Sequence, residues 1–403
     1  MNIAKKLDKN LFDILLIDKN NYHQFQPLLY QVATAQIEPS DISFPIRYIF
    51  KNKKHIDIRL ANVQNVDTEK KIISTDNGNY NYDYLVLAMG GKTNFFGNDE
   101  ISKNAISLKS TIDAIKIRNH FLEIFEKIAS NQNVDEALYN IVIVGGGPTG
   151  VELSGAFAEI KKSMLPIDFH TIDFSKINII LIEGGDVTLA PMSKKSQVDS
   201  FNYLIELGVN IYTKAIVTSY DGNELKTNNG MTIKSNTVIW SAGITANSIV
   251  GIPEKSIGHG QRLIVSEINE LVNCNDVFVL GDMAYMETSE YPKGHPQLAS
   301  VAIQQAVNLS QNLKNIENKL PTTKFKYKNK GTMATVGRNK AVVDFNSIHF
   351  RGVIAWFTWM FLHLMLILTV KNKIIIFINW TWIYLTKNTA LGIIIKDDDK
   401  TMN

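Results

Sequence analysis

Residues 141–159 read IVIVGGGPTGVELSGAFAE, and this stretch decides the fold. Four apolar residues, Ile141 to Val144, predict a buried strand. Gly145-x-Gly147-x-x-Gly150 follows at once, and a helix is expected from about residue 149. Gly145 permits a tight turn, Gly147 lets the backbone approach a pyrophosphate, and Gly150 lets helix and strand pack closely. The helix start adds unpaired N–H groups and the positive end of its dipole. The glycines alone are a weak signal, but strand, loop and helix together point to a dinucleotide-binding α/β fold.

A second strand is expected at residues 177–183, INIILIE, ending on Glu183. A carboxylate there accepts from the adenosine ribose hydroxyls and repels a 2′-phosphate, which favours NAD(H) over NADP(H). The plainer reading of Glu183 is a solvated acid at a strand end. Residues 161–176, KKSMLPIDFHTIDFSK, read as an insertion that lengthens the gap between loop and acid.

Upstream, the apolar run LFDILLI at 11–17 stops at Asp18, where an acid can also accept from a ribose hydroxyl. A glycine-rich loop normally precedes such a strand, whereas Met1 and a short Ala/Lys/Leu segment do so here. Residues 56–75 alternate like strand and hairpin, with a turn at Asp76-Asn77-Gly78-Asn79. YLVLAMGG at 84–91 reads as a buried strand ending in Gly90 and Gly91. DVFVLGDMA at 276–284 reads as a strand that turns at Gly281, so that Asp282 faces the crevice beyond the strand ends. Each piece alone is a turn. Jointly they suggest a second dinucleotide fold interrupted by the block around residue 141. Helices are expected at roughly 110–130, near 194–207 and at about 297–315.

The 403 residues accommodate two or three domains with sizeable cores. A net charge of +3 gives no footprint for nucleic acid. One cysteine, Cys274, cannot build a disulfide framework, a Cys-x-x-Cys pair or an iron–sulfur cluster within one chain, and it reads as a packed or idle thiol. No apolar core behind a basic tip is found in the first twenty residues, so no signal peptide is expected.

In this order, NNYHQFQPLLYQVATAQIEPSDISFPIR (20–47), AMGGKTNFFG (88–97), the 141–159 stretch, WSAG (240–243) and VFVLGDMA (277–284) resemble the type II NADH dehydrogenases. These are single-chain NADH:quinone oxidoreductases that hold FAD non-covalently and pump no protons. The resemblance covers nearly the whole chain. It implies two Rossmann-like dinucleotide-binding domains in the disulfide-reductase-like flavoprotein architecture, plus a C-terminal amphipathic membrane-binding segment. The expected divisions are 1–106 and 244–320 for the two parts of the FAD domain, 107–243 for the NADH domain and 321–403 for the membrane segment. The single cysteine sets the chain apart from disulfide reductases and sulfide:quinone oxidoreductases, which need redox-active cysteines.

Carried over residue by residue, the resemblance places Asp18 at the FAD ribose, Asp282 with Gly281 at the ribityl chain and pyrophosphate, and Gly90 in the same site. It places Gly145, Gly147, Gly150 and Glu183 at NADH. Glu152 matches a glutamate near the nicotinamide–flavin junction, although a first-turn glutamate held by the helix dipole is the bland alternative. The family's Ala-Gln-x-Ala-x-Gln quinone motif reads here as Ala299-Ser300-Val301-Ala302-Ile303-Gln304, with serine replacing the first glutamine. Gln304 is expected to donate to a quinone carbonyl, and Glu152 and Gln304 are the expected catalytic pair. In the family a strand and a glycine loop for FAD come directly before a helix like NIAKKL. Two explanations stay open: a start cut short, or a short form with weakened FAD binding. The chain as written is expected to be unstable and to hold flavin weakly, because a strand missing from mid-sheet leaves apolar edges open. The alternative to an enzyme is a catalytically impaired, membrane-attached NAD-binding remnant.

From Phe345 to Lys396 there are five basic residues (Arg351, Lys371, Lys373, Lys387, Lys396), no acid, and four of the five Trp, at 356, 359, 380 and 382. Aromatic residues favour the headgroup level and cations are drawn to anionic lipid, which suits a helix lying in the interface. Val353–Val370 is also just long enough to span a bilayer, and a dimerisation hairpin is a third reading. The expected partners are a membrane quinone and the lipid surface, with a homodimer left open. The expected location is the cytoplasmic face of the inner membrane.

Overall fold

The computed structural model describes residues 1–130, 135–346, 348–388 and 392–395. Its contacts divide the chain into two units. One comprises Met1–His23, Pro45–Lys92 and Ile244–Lys330, the other Gln24–Phe44, Thr93–Gly243 and Gly331–Asn403. These cuts differ from the four segments expected: residues 24–44 and the C-terminal segment fold with the middle block. Lys396 lies outside the described residues.

The second unit is built on a parallel sheet of five strands. Their order is Ile106–Ser107, Thr237–Trp240, Asn140–Val144, Asn178–Ile182 and Val209–Tyr212. Ile141 pairs with Ile179 and Val144 with Ile182. Ile141 to Val144 are all buried, and the near-continuous apolar run follows because helices cover both faces of a parallel sheet. The long helix Thr111–Ser130 places Phe121 against Phe157 of the helix Pro148–Ser163, with ring centroids 4.4 Å apart.

An antiparallel sheet of Thr332–Gly337, Lys340–Phe345 and Ile348–Arg351 packs on that helix. A Cβ at Gly155 would fall 1.6 Å from the Val336 carbonyl oxygen, so only glycine lets strand and helix approach this closely. Two helices follow, Gly352–Leu366 and Val370–Thr386. Among the described residues no helix is long and apolar enough to cross a membrane. The candidate span Val353–Val370 is therefore corrected. Ile367 is extended (φ −60°, ψ 136°), and the Thr369 side chain caps the new helix by accepting from the Asn372 N–H. The Asn372 amide donates to the Ser40 and Asp41 carbonyls, 2.9 Å each, which ties the break to the segment 24–44. Trp359 and Trp380 are buried inside, each contributing about 1.5–3 kcal/mol of apolar burial, while Ile354, Phe357, Phe361, Phe377, Trp382 and Leu385 lie exposed outside.

In the first unit the described parallel strands come as three pairs: Ile14–Asp18 with Ile56–Leu60, Leu85–Leu87 with Val277–Val279, and the short Leu263–Ile264 with Ala284–Tyr285. Ile14–Asp18 has no second ladder partner among the described residues, and Leu15 is 38% exposed. A meander of Val63–Asp67, Ile72–Thr75 and Gly78–Asn81 accounts for the alternation read at 56–75. The helix Ala299–Glu317 buries Leu309 and Leu313 against Phe278 and Leu280. Cys274 is a buried free thiol in the neighbouring cluster.

Candidate functional site: a glycine loop, a half-buried carboxylate pair and an aromatic wall

Gly145 adopts φ +109°, which L side chains rarely tolerate, and so turns the chain out of its strand. A Cβ at Gly150 would lie 1.9 Å from the Gly145 carbonyl oxygen, so the helix could not otherwise sit against the loop. Nothing lies within 4 Å of a Cβ built at Gly147, which leaves the loop backbone open at the N-cap of Pro148–Ser163. Among the described residues no side chain caps this helix, so its first N–H groups and positive dipole end suit an anion. Glu183 closes the far side. Its two oxygens accept from the N–H groups of Gly146 (2.5 Å) and Gly185 (2.6 Å), which fixes the carboxylate beside the loop.

Glu152 lies one turn into the same helix, but it is not a solvated first-turn glutamate. Its carboxylate lies 3.5 Å from the Thr335 backbone N–H and faces a cavity shared with Glu159, Tyr30, Trp359 and Trp380. Burial pushes its pKa up to about 8, eased slightly by the Thr335 N–H and the nearby Trp359 indole. Glu159 accepts the Arg338 backbone N–H at 2.5 Å. Burial raises it to about 7, against the pull of the Arg338 N–H and the charges of Arg338 and Lys340. Tyr30 is buried, its hydroxyl accepts from the Gln31 amide at 3.0 Å, and the Trp380 indole donates to Gln31 at 2.8 Å. Burial first, then the charge of Glu152, holds the Tyr30 phenol well above its ordinary pKa. The cavity encloses about 70 Å³. That is room for on the order of five waters, and far below the roughly 300 Å³ or more of a small-molecule pocket.

Glu159, Tyr30 and Arg338 escaped the sequence reading. Glu159 carried a signal: it is seven residues after Glu152, two turns on, and so on the same face. Tyr30 and Arg338 carried none.

In the first unit, Asp18 ends its strand and accepts from the Asn20 N–H at 2.8 Å, with burial raising its pKa. Gly90 (φ +70°) has open space where a Cβ would be. Gly281 (φ +68°) would bring a Cβ to 3.0 Å from Ala302, and its N–H donates to the buried Gln305 at 2.8 Å. A Cβ built at Gly91 would lie 2.7 Å from the Ile244 side chain, 2.9 Å from the Thr245 carbonyl and 3.4 Å from the Asp282 carboxylate, so Gly91 and Gly281 are required by close packing and only Gly90 faces open space.

Gln304 differs from expectation. Its amide donates to the Lys328 carbonyl and its oxygen accepts the Lys328 N–H, both at 3.0 Å. Ser300 hydrogen-bonds Tyr327 at 2.9 Å, and Asn312 holds both polar backbone groups of Thr323. Residues 300, 304, 308 and 312 recur every four positions on one helix face, and they fasten the extended segment Thr323–Lys328 along it. The face expected to meet a quinone is therefore covered by the chain itself.

A family model described as pyridine nucleotide-disulphide oxidoreductase matches residues 1–306, and one described as the NDH2 C-terminal domain matches residues 329–387. The chain is 34% identical over 403 residues to the type II NADH:quinone oxidoreductase Ndh of Mycobacterium tuberculosis, covering 96% of this chain and 86% of that one. It is 26% identical to a type II NADH:quinone oxidoreductase of Staphylococcus epidermidis, with 84% of each covered. Among solved structures, NDH2 from Plasmodium falciparum in complex with NADH shares the fold at TM-score 0.88 and 23% identity, covering 98% of this chain and 97% of that one. The sulfide:quinone oxidoreductase of Aquifex aeolicus follows at TM-score 0.73 and 18% identity, covering 92% and 89%. With a family model over most of its length and a relative this similar end to end, the chain belongs to the type II NADH:quinone oxidoreductases.

Proposed function

We propose that the chain oxidises NADH and reduces a membrane quinone through bound FAD, without pumping protons. The observation that carries this is the place of Glu152. It stands on the first turns of the helix whose start forms the glycine loop, and it faces a cavity walled by Trp359 and Trp380 of the two C-terminal helices. One helix thus joins a nucleotide loop to an apolar, aromatic segment.

Gly145, Gly147 and Gly150 would seat the NADH pyrophosphate, and Glu183 its adenosine ribose. For FAD, the open backbone at Gly90 fits a group that needs close backbone approach, and Asp282 and Asp18 supply the two carboxylates. FAD, when bound, supplies a two-electron acceptor that returns its electrons to a quinone. The chain's own residues position and charge the site. Glu152 holds a proton near neutral pH and can give it to a reduced quinone oxygen. Gln304 is spent on Lys328, so Ser300 and Gln304, on the helix that Ala299 begins, serve this reading by fixing Tyr327 and Lys328 rather than by donating to quinone.

Residues 1–106 and 244–320 would then form the FAD domain, 107–243 the NADH domain and 321–403 the membrane segment. The C-terminal helices would lie in the interface, with Lys371 and Lys387 toward anionic lipid, while Arg351 pairs with Asp199 and Lys373 donates to the Met365 carbonyl. This suits peripheral attachment to the cytoplasmic face of the inner membrane.

The test is NADH oxidation by the flavin-loaded chain, without oxygen, with and without menadione. Quinone-dependent loss of NADH supports the proposal. A chain that carries flavin and oxidises no NADH overturns it.

A further inference from the structure

Glu159 is half-buried at the cavity and is not used by the mechanism above. Two carboxylates receive backbone N–H groups from one strand end: Thr335 approaches Glu152, and Arg338 donates to Glu159. The helix rises about 10.5 Å over those seven residues, and the chain advances about 10 Å over those three. The two pairs therefore run in step along one wall. Tyr30 lies on the same cavity, and the charges of both glutamates act on its hydroxyl. The Tyr30 oxygen already accepts from Gln31, so its own proton is free to be donated into the cavity. The space of about 70 Å³ admits a few waters.

The proton balance gives such a route a task. Reducing a quinone to a hydroquinone adds two electrons and two protons. NADH supplies both electrons and one proton as hydride. One further proton must come from solvent at each turnover, and Glu152 is half-buried beside Trp359 and Trp380.

We propose that Glu159 is the entry station of a proton path to Glu152, with Tyr30 and cavity water between them. Glu159 takes a proton from solvent on the side of Arg338 and Lys340, passes it along the cavity, and is reprotonated after each turnover. It is a positioning and relay residue, not one that touches quinone. The groups that face it are Glu152 on its own helix, Tyr30 on the helix Leu29–Ala33, Arg338 and Lys340 on the hairpin, and Tyr384, over whose ring the Arg338 guanidinium sits at 4.0 Å. A pKa near neutrality suits a group that must both gain and lose a proton.

This inference rests on the role given to Glu152, and the experiment separates the two. In flavin-loaded Glu159→Gln, bleaching of the flavin by NADH should be unchanged. Menadione reduction should fall about tenfold or more, with a larger solvent deuterium effect, partial rescue by formate, and recovery in Glu159→Asp. Independently of turnover, infrared pH-difference spectra should lose one carboxyl band that titrates near neutrality. If Glu159→Gln destabilises the fold, Arg338→Gln is read instead: removing that cation should move the alkaline limb of quinone turnover to higher pH. Slowing in Glu152→Gln with full, isotope-insensitive turnover in Glu159→Gln overturns the relay alone. Full turnover in both overturns the role of Glu152 as well.

Discussion

The Trp380 indole donates to the Gln31 side-chain oxygen at 2.8 Å, and both residues are buried. This bond fastens the second C-terminal helix to the segment Gln24–Phe44. Trp380→Phe keeps most of the apolar volume and leaves the Gln31 oxygen without its donor. It should cost about 1–3 kcal/mol, read as a lower denaturant midpoint and faster proteolysis of the C-terminal helices. A midpoint equal to the parent's would show that the bond does not hold the helix.

Gly155→Ala tests the crossing of strand and helix. The added methyl meets the Val336 carbonyl, so the antiparallel sheet must move off the helix. A loss of about 3 kcal/mol or more is expected, together with altered near-ultraviolet signal from the nearby tryptophans. A methyl tolerated without loss would contradict the close packing.

Glu152 also makes stability depend on pH. Its folded pKa, about 8, lies above that of an ordinary glutamate. Between the two values the folded chain holds more protons than the unfolded one, so stability should fall as pH rises from about 5 to about 8. Below that window the carboxyl is protonated in both states, and above it ionised in both. Glu152→Gln should flatten the fall in melting temperature across the window. A parallel curve would place the titration elsewhere.

Glu183 is held by the Gly146 and Gly185 N–H groups, and in the proposed function it binds the adenosine ribose. Glu183→Ala should raise KM for NADH by about tenfold and narrow the preference over NADPH. Loss of NADH use with no gain for NADPH would mean that the carboxylate only supports the loop.

The broken C-terminal helix predicts a membrane behaviour. Alkaline carbonate should strip the protein from vesicles containing anionic lipid, because no described helix crosses the bilayer. Retention like that of a spanning protein would refute the interfacial reading.

Sequence alone determined the strand–loop–helix at 141–159. Each of its demands is local: apolar residues for a strand, glycines where a turn or close approach leaves no room for a Cβ, then helix formers. It likewise determined the apolar, aromatic and basic character of the last segment, and the absence of any dithiol. Where the second helix starts was less legible, because Ile367 is as apolar as its neighbours; the break is stabilised by Asn372 reaching residues 40 and 41, far away in the chain. What the motif at 299–304 packs against was illegible for a similar reason. An amide reads the same whether it faces a ligand or, as Gln304 does, the backbone of Lys328. Only the tertiary structure decided that Glu152 and Glu159 are sunk at one cavity beside Tyr30. Burial of a charge depends on what folds over it, and here the cover comes from residues 24–44 and from beyond 331.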